Sequence, residues 1–395
     1  MKKNLLFIIP SLSAGGGEKS LINLLSQIDY DLYNVDIFLL NHNGLFMEFI
    51  PPQVNVLPLQ DNYNLFSLPL LKSIYKYLGG KNYKLAINRI LYTVCIRLSK
   101  SGGTNEQYGW KYLSRSLTDL SKVYDVSIGF LEKTSIYFCV DRVIAHKKIG
   151  WIHNDYDKLG SNAAFDKKYF DKLHEILTVS EECATVLKKR FPDERKKINV
   201  IYNIVSPSVI NKLSNHTNEV FKRSHGQKVI LSIGRLHHQK GFEMAIDACE
   251  ELVRSGNNIK WYVIGEGEER SNLEKLIAQK KLESYFILLG LKANPYPYIK
   301  QCDIYVQTSK FEGKSIALDE AKILCKPIVI TNYSTAKDQI KDNLNGLIVE
   351  MDAFSIAAGI YQLIHNPILK DSLINNLSVE KLGTEKEINK LYQLL

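Results

Sequence analysis

Short apolar runs, each bounded by Gly, Pro, Asn or charged residues, alternate along the chain with longer segments whose apolar residues recur at every third or fourth position. A strand covered on both faces of a parallel sheet reads as a continuous apolar run, and a helix covering that sheet reads with the longer period. The pattern therefore predicts the α/β class. Strands are expected at Leu5–Pro10, Val35–Leu40, Val54–Leu59, Tyr124–Phe130, Lys148–His153, Glu175–Ser180 and Ile198–Asn203 in the first half. In the second half they are expected at Val229–Gly234, Trp261–Gly265, Phe286–Gly290, Ile304–Thr308, Pro327–Thr331 and Gly346–Val349.

Between the two sets lies Ser206–Gln227, a polar stretch with Pro207, Asn211, Thr217, Asn218 and Gly226, which predicts a linker over 206–227. The chain then divides into an N-terminal domain over 1–205 and a C-terminal domain over 228–378. Residues 379–395 are expected to form a helix that packs back toward the first domain. Each half restarts with a strand and a Gly-containing turn, Ala14-Gly15-Gly16-Gly17 and Gly234-Arg235, so two similar nucleotide-binding folds are the economical arrangement.

One segment breaks the rhythm. From Lys72 to Lys122 there are ten basic residues, Lys100 among them, against Glu106 and Asp119. Ile87, Ile90, Leu91, Val94 and Leu98 recur there at helical spacing, which predicts a basic amphipathic helix. Two readings stay open: a helix whose apolar face joins the core and whose basic side is solvated, or a surface for an anionic membrane or acceptor.

The 395 residues carry 51 Lys and Arg against 42 Asp and Glu, and the net charge of +9 favours anionic partners. Six cysteines stand far apart with no paired spacing, so neither a disulfide framework nor a metal knuckle is expected. The start, Met1-Lys2-Lys3 followed by Leu5 to Ile9, imitates a signal peptide, but Pro10 stops the apolar run early and a strand is expected instead.

Five clusters could carry chemistry. Gly15 and Gly16, between a strand and a helix, allow backbone N–H groups to approach an anion, although a merely structural turn would also use them. Gly234-Arg235-Leu236 followed by Lys240-Gly241 delivers two cations at a strand end, suited to a diphosphate or simply solvated. Gly265-Glu266-Gly267 resembles a dinucleotide fingerprint, but Arg270 stands at its last position, so a helix-start turn is the better reading. In Glu312-Gly313-Lys314-Ser315-Ile316-Ala317, with Glu320 about two turns into the following helix, carboxylates suit sugar or ribose hydroxyls and the helix-start amides suit phosphate oxygens. Trp151-Ile152-His153-Asn154 ends a strand with an imidazole. The Asp155-Tyr156-Asp157 that follows is formally a DxD but lacks supporting ligands, so no metal is expected.

Taken together, in this order, the clusters resemble the retaining glycosyltransferase family 4, of the bacterial surface-polysaccharide type. The match is strongest from Gly234 to Gly346: Gly234-Arg235-Leu236, Lys240-Gly241, Gly265 to Gly267, Leu289-Gly290, and Glu312 with Glu320 as the E-x7-E pair. The resemblance implies the GT-B fold, two facing Rossmann-like domains with parallel sheets and a central cleft. It implies that Arg235 and Lys240 neutralise the donor diphosphate, Glu320 binds the ribose, Glu312 contacts the donor sugar and His153 touches that sugar from the acceptor side. Gly15 and Gly16 would approach the phosphate, Gly313 to Ala317 would hold sugar and phosphates, and Gly290 to Asn294 would border the base. The glycine and proline usual after the first Glu are replaced by Lys314, Ser315 and Ala317, which leaves the sugar open.

The expected activity is metal-independent, cofactor-free transfer of a hexose from a nucleotide sugar, with UDP as carrier, to a growing lipid-linked surface glycan. The enzyme would be cytoplasmic and peripheral on the inner face of the plasma membrane, touching an anionic membrane surface and no nucleic acid. A UDP-sugar epimerase on the same fold and a non-catalytic basic nucleic-acid or anion binder are the competing readings.

Overall fold

A computed structural model of the chain describes every residue except 1, 14, 99–101, 216–218 and 293. Lys100, Thr217 and Asn218, the first residue of the glycine turn, and the middle of the 290–294 stretch thus lie outside the described residues. The chain forms two compact units, one of residues 1–13, 17–202 and 388–395, the other of 14–16 and 203–387.

The first unit is built on a seven-stranded sheet of β1 (Lys3–Ile9), β2 (Tyr33–Leu39), β3 (Asn55–Val56), β4 (Val123–Phe130), β5 (Ile144–Ile152), β6 (Glu175–Thr178) and β7 (Ile198–Val200). The strand order is β3-β2-β1-β4-β5-β6-β7, and every pairing is parallel. The second unit holds a six-stranded parallel sheet of β8 (Lys228–Ile233), β9 (Ile259–Ile264), β10 (Phe286–Leu288), β11 (Ile304–Gln307), β12 (Ile328–Thr331) and β13 (Leu347–Val349). Its order is β10-β9-β8-β11-β12-β13. Both are doubly wound sheets whose strand order reverses once, beside β1 and β4 in the first and beside β8 and β11 in the second.

Burial explains why the strands were legible as apolar runs. Leu5, Leu6, Phe7, Ile8 and Ile9 are all solvent-inaccessible, as are Val229, Ile230 and Leu231, because helices cover both sheet faces. The covering helices carry ordinary end signals. Ser180 caps Glu181–Arg190 by accepting from the Cys183 N–H at 3.2 Å, with Glu181 and Glu182 in the first turn and Lys188, Lys189 and Arg190 in the last, which matches charge to the helix dipole.

Two stretches differ from expectation. The 206–227 stretch, expected as a linker, carries the helix Pro207–Ser214, and Ile210 and Phe221 are buried in the second unit's core with Val229, Leu231 and Tyr262. The polar composition hid two anchoring apolar residues. In the 72–122 segment, helices Leu70–Gly79, Tyr83–Leu98 and Gly102–Leu113 follow one another. The apolar positions of the second point outward: Ile87, Ile90, Leu91, Val94 and Leu98 are all at least 40% exposed, so the core-facing reading of this helix is wrong.

At the far end, helix Ile388–Leu394 belongs to the first unit. Tyr392 stacks on Tyr33 with ring centroids 5.4 Å apart, and its hydroxyl accepts from the Asp29 N–H at 2.8 Å.

Candidate functional site

In doubly wound sheets a ligand crevice forms at the carboxyl ends of the strands where the order reverses, because the loops there diverge to opposite faces. In the second unit that point lies between β8 and β11. The loop after β8 supplies Arg235 and Lys240, and the loop after β11 supplies Ser309, Glu312 and the start of helix Ile316–Ile323. Sequence clusters some seventy residues apart are thus neighbours for a topological reason.

The glycines of these loops serve close packing. Gly234 N–H donates to Ile264 O at 3.0 Å, Leu236 N–H to Glu266 O at 3.0 Å and Gly265 N–H to Gly290 O at 3.0 Å, which ties the loops after β8, β9 and β10 together. A Cβ on Gly265 would lie 1.9 Å from Gly234 O, and one on Gly267 would lie 2.2 Å from Leu236 O. Gly265 and Gly267 therefore hold one loop against another, and Arg270 pairs with Glu266 at the start of helix Arg270–Gln279, as the helix-start reading of that motif requires. Gly241 sits at φ +61°, where a Cβ would also meet Thr308 O at 2.3 Å, so the residue after Lys240 must be glycine for the β8 and β11 loops to touch.

At the centre, Lys240 Nζ pairs with Glu312 Oε1, and Ser309 Oγ donates to the same oxygen at 2.6 Å. Both charged side chains are largely withdrawn from water, Lys240 at 18% and Glu312 at 7% exposure. Among the described residues, Glu312 Oε2 receives only a long contact, 3.4 Å, from Gln239 Nε2. Gln239 also donates to Phe311 O at 2.9 Å, and Thr335 Oγ1 donates to Glu312 O at 3.1 Å, so the carboxylate's backbone is fixed from two sides. Arg235 is exposed and makes no side-chain hydrogen bond or ion pair among the described residues. The two cations expected to act alike are in different states, one paired with a carboxylate and one not.

Ser315 caps helix Ile316–Ile323 by accepting from the Leu318 N–H at 3.3 Å and donates to Gln307 Oε1 at 2.6 Å. Its own N–H donates to Gln339 Oε1 at 2.8 Å, and Gln339 Nε2 returns a bond to Ser315 O at 2.8 Å. The Ser315 amide, expected to hold phosphate, is therefore engaged within the protein. The next two N–H groups, of Ile316 and Ala317, sit in the first turn, where no intrahelical acceptor exists. Lys314, beside Gly313, lies 3.6 Å from Asp319. Glu320 is 1% exposed and accepts from the Tyr296 hydroxyl at 3.1 Å. Burial, together with the nearby Glu320 and Glu312 carboxylates, pushes the Tyr305 phenol on β11 well above its ordinary value. Gly290 adopts φ +70° at the end of β10.

Helix Gly16–Leu25 begins directly behind β1. Gly15 is buried and Gly16 exposed, and a Cβ on Gly16 would meet nothing within 4 Å. Among the described residues no atom demands glycine there. His153 follows β5, stacked on Trp151 and packed against Phe130, with Nε2 buried and without a hydrogen-bond partner among the described residues. Burial pushes its imidazole down to about 3, so it is neutral at physiological pH. Sequence reading missed Glu132, at the end of β4, whose Oε1 accepts from the His153 and Asn154 N–H groups, both at 2.7 Å. Desolvation raises the Glu132 carboxyl, and those amides work against the rise. Nothing in the local sequence marks it, since its partners lie 21 and 22 residues away.

Asp155 and Asp157 have local roles. Asp155 caps the turn at Tyr156–Lys158 by accepting from the Asp157 N–H, and Asp157 pairs with Arg190 at 2.7 Å. Among the described residues no group of three or more His, Cys, Asp or Glu is placed to hold a metal ion.

Comparison with known proteins fits this geometry. Residues 215–378 match the family model described as Glycosyl transferases group 1. The poly(ribitol-phosphate) alpha-N-acetylglucosaminyltransferase of Staphylococcus aureus is 27% identical over 260 residues, covering 63% of this chain and 50% of that protein. The N-acetylgalactosamine-N,N'-diacetylbacillosaminyl-diphospho-undecaprenol 4-alpha-N-acetylgalactosaminyltransferase of Campylobacter jejuni is 27% identical over 238 residues, covering 60% of this chain and 63% of that protein. The chain thus spans about half the length of the first of these relatives and under two thirds of the second. Anabaena HepE in complex with UDP and glucose superposes with a TM-score of 0.67 at 17% identity, covering 99% of this chain and 98% of that one. At that identity the likeness establishes the fold, which is the two-Rossmann-unit architecture of GT-B proteins.

Proposed function

We propose that the protein is a retaining glycosyltransferase that moves a hexose from a nucleotide sugar, with UDP as the carrier, to a lipid-linked surface glycan without a metal ion. The observation that carries this reading is the convergence, at the β8/β11 reversal, of Arg235, the Lys240–Glu312 pair and the free first-turn amides of helix Ile316–Ile323. The family match over 215–378 and the UDP bound in a structure of the same fold support it. The two transferases similar to this chain, one named for poly(ribitol-phosphate) and one for a diphospho-undecaprenol glycan, support a surface-glycan acceptor.

In this reading the leaving nucleoside diphosphate gains negative charge as the sugar C1 becomes oxocarbenium-like. Arg235, Lys240 and the Ile316 and Ala317 amides stabilise that charge more in the transition state than in the ground state. Because Glu312 Oε1 is occupied by Lys240 and Ser309, Oε2 is the oxygen left to accept a sugar hydroxyl. Glu320 receives the ribose, and Gly290 borders the base. Gly16 approaches the phosphate, where the open space at its Cα admits an oxygen. His153 offers a neutral imidazole, suited to an uncharged hydroxyl. The departing phosphate itself takes the acceptor's proton on the same face, so no dedicated carboxylate base is required and the configuration is retained.

Calorimetric titration with UDP, GDP and NAD, on the wild type and on Arg235→Ala, tests the reading. Binding selective for UDP and at least about tenfold weaker in the variant is expected, since hydrogen bonds from a charged donor contribute about 1.5–3 kcal/mol. A folded protein that binds none of the three nucleotides, or an activity abolished by EDTA and restored by manganese, would overturn it.

A further inference from the structure

Helix Tyr83–Leu98 carries apolar residues on both sides. Inward, Leu85 and Ala86 are buried with Phe66 and Tyr77, beside Asn88 and Arg89, whose polar groups are satisfied by protein. Arg115 donates to Asn88 Oδ1 at 2.7 Å, and the Arg89 guanidinium donates to Phe66 O and Leu68 O while lying over the Phe66 ring at 5.2 Å. Its outward positions are apolar, with Ile87 56%, Val94 45% and Leu98 75% exposed and Ile90 and Leu91 beside them. The preceding helix Leu70–Gly79, which packs against it, likewise exposes large apolar and aromatic side chains on its outer side. Ser73 and Tyr77 are buried, whereas Leu71 is 82% and Tyr75 80% exposed. A helix whose only partner on that side is water carries polar residues there, so two consecutive helices with exposed apolar outer faces mark a binding face.

The charge on the same helices selects the occupant. Lys72, Lys76, Lys84 and Arg97 are exposed, and none has an acidic partner among the described residues. Between Asp61 and Glu106 the sequence contains no Asp or Glu at all. A second copy of the chain docked on this face would set lysine against lysine with no carboxylate to pair them. An anionic lipid surface meets both requirements. Apolar side chains enter the headgroup–acyl boundary, tyrosines sit at the interface, and lysine stems reach back to the phosphates. No helix of the described residues is long and apolar enough to cross a membrane, which leaves an in-plane arrangement for these two.

We propose that the outward faces of helices Leu70–Gly79 and Tyr83–Leu98 form a docking surface for an anionic lipid bilayer. Ile87, Ile90, Leu91, Val94 and Leu98 are the inserting residues, and Lys72, Lys76 and Lys84 the headgroup contacts. The inference rests on the exposed apolar and basic outer faces of the two helices and holds whether or not the transfer reaction is the one proposed above.

Co-sedimentation of the full chain with vesicles tests it, comparing pure phosphatidylcholine with an equal mixture of phosphatidylcholine and phosphatidylglycerol. The expected result is binding to the mixture that falls with added salt. It should weaken at least about tenfold in Lys72→Glu/Lys76→Glu and in Ile90→Ser/Val94→Ser. These positions are solvent-facing, so both variants should keep the wild-type melting temperature, and UDP titration reports separately on the nucleotide site. Folded wild type that ignores both vesicle types would overturn the proposal. So would variants that bind as wild type does, or a dimer in light scattering that Val94→Ser dissociates.

Discussion

Lys240 and Glu312, 72 residues apart in the chain, form an ion pair largely withdrawn from water at the carboxyl ends of β8 and β11. Removing one partner leaves the other charge buried and unpaired, which costs about 3–5 kcal/mol. Lys240→Met and Glu312→Gln are each expected to lose stability on that scale in urea titrations, and the double variant to lose far less than their sum. Additive losses would show that the two side chains act independently.

His153 makes stability depend on pH. Its folded value is depressed to about 3, below the ordinary histidine value of about 6.5, so the unfolded chain takes up a proton first as pH falls. Its stabilising contribution is complete above the unfolded value and declines as pH drops toward the folded one. Between pH 7 and pH 5 the wild type should lose about 2 kcal/mol that His153→Asn retains. Parallel stability–pH curves for the two proteins would refute a buried neutral imidazole.

Two glycines expected from sequence to serve turns separate into opposite cases. Gly265→Ala would force a Cβ to within 1.9 Å of Gly234 O and should destabilise by at least about 2 kcal/mol. Gly16→Ala meets nothing within 4 Å and should leave stability within about 0.5 kcal/mol of wild type, yet weaken UDP binding on the proposed reading. Thermal melts beside UDP titration check both.

Most of the scaffold was legible because strands buried on both faces announce themselves as apolar runs, and all thirteen expected segments overlap strands of the structure. The loop residues at the β8/β11 reversal were legible for a related reason, since Lys240-Gly241 and Glu312 to Glu320 follow strand ends directly. What could not be read was direction and partnership. Helical spacing at Ile87, Ile90, Leu91, Val94 and Leu98 defines a face without saying which way it points, and it is the packing of Leu85 and Ala86 on Phe66 and Tyr77, with Asn88 and Arg89 beside them, that turns that face outward. Glu132 was missed, and the engagement of the Ser315 amide by Gln339 was not foreseen, because their partners, the His153 amide and Gln339, come from other loops.

The second unit closes on itself. Thr384 Oγ1 accepts from the Val205 N–H at 2.8 Å and donates to Asn203 O at 2.5 Å, and the Thr384 N–H donates to Val205 O at 3.0 Å. Its beginning and end are therefore clasped, and residues 203–387 expressed alone should unfold in one cooperative urea transition. A fragment that shows no transition would mean the clasp is too weak to hold the unit together.

The same clasp sets the order in which the protein can mature. Apart from residues 14–16, the second unit is one insert, residues 203–387, within the first, whose helix Ile388–Leu394 arrives only after the insert has been made. On the ribosome the second unit can become native as soon as it emerges, while the earlier-made sheet of seven strands still lacks Tyr392 against Tyr33. The part synthesised first is thus the part finished last, and it is this waiting intermediate, with an uncovered patch around Tyr33, that a chaperone or protease would meet.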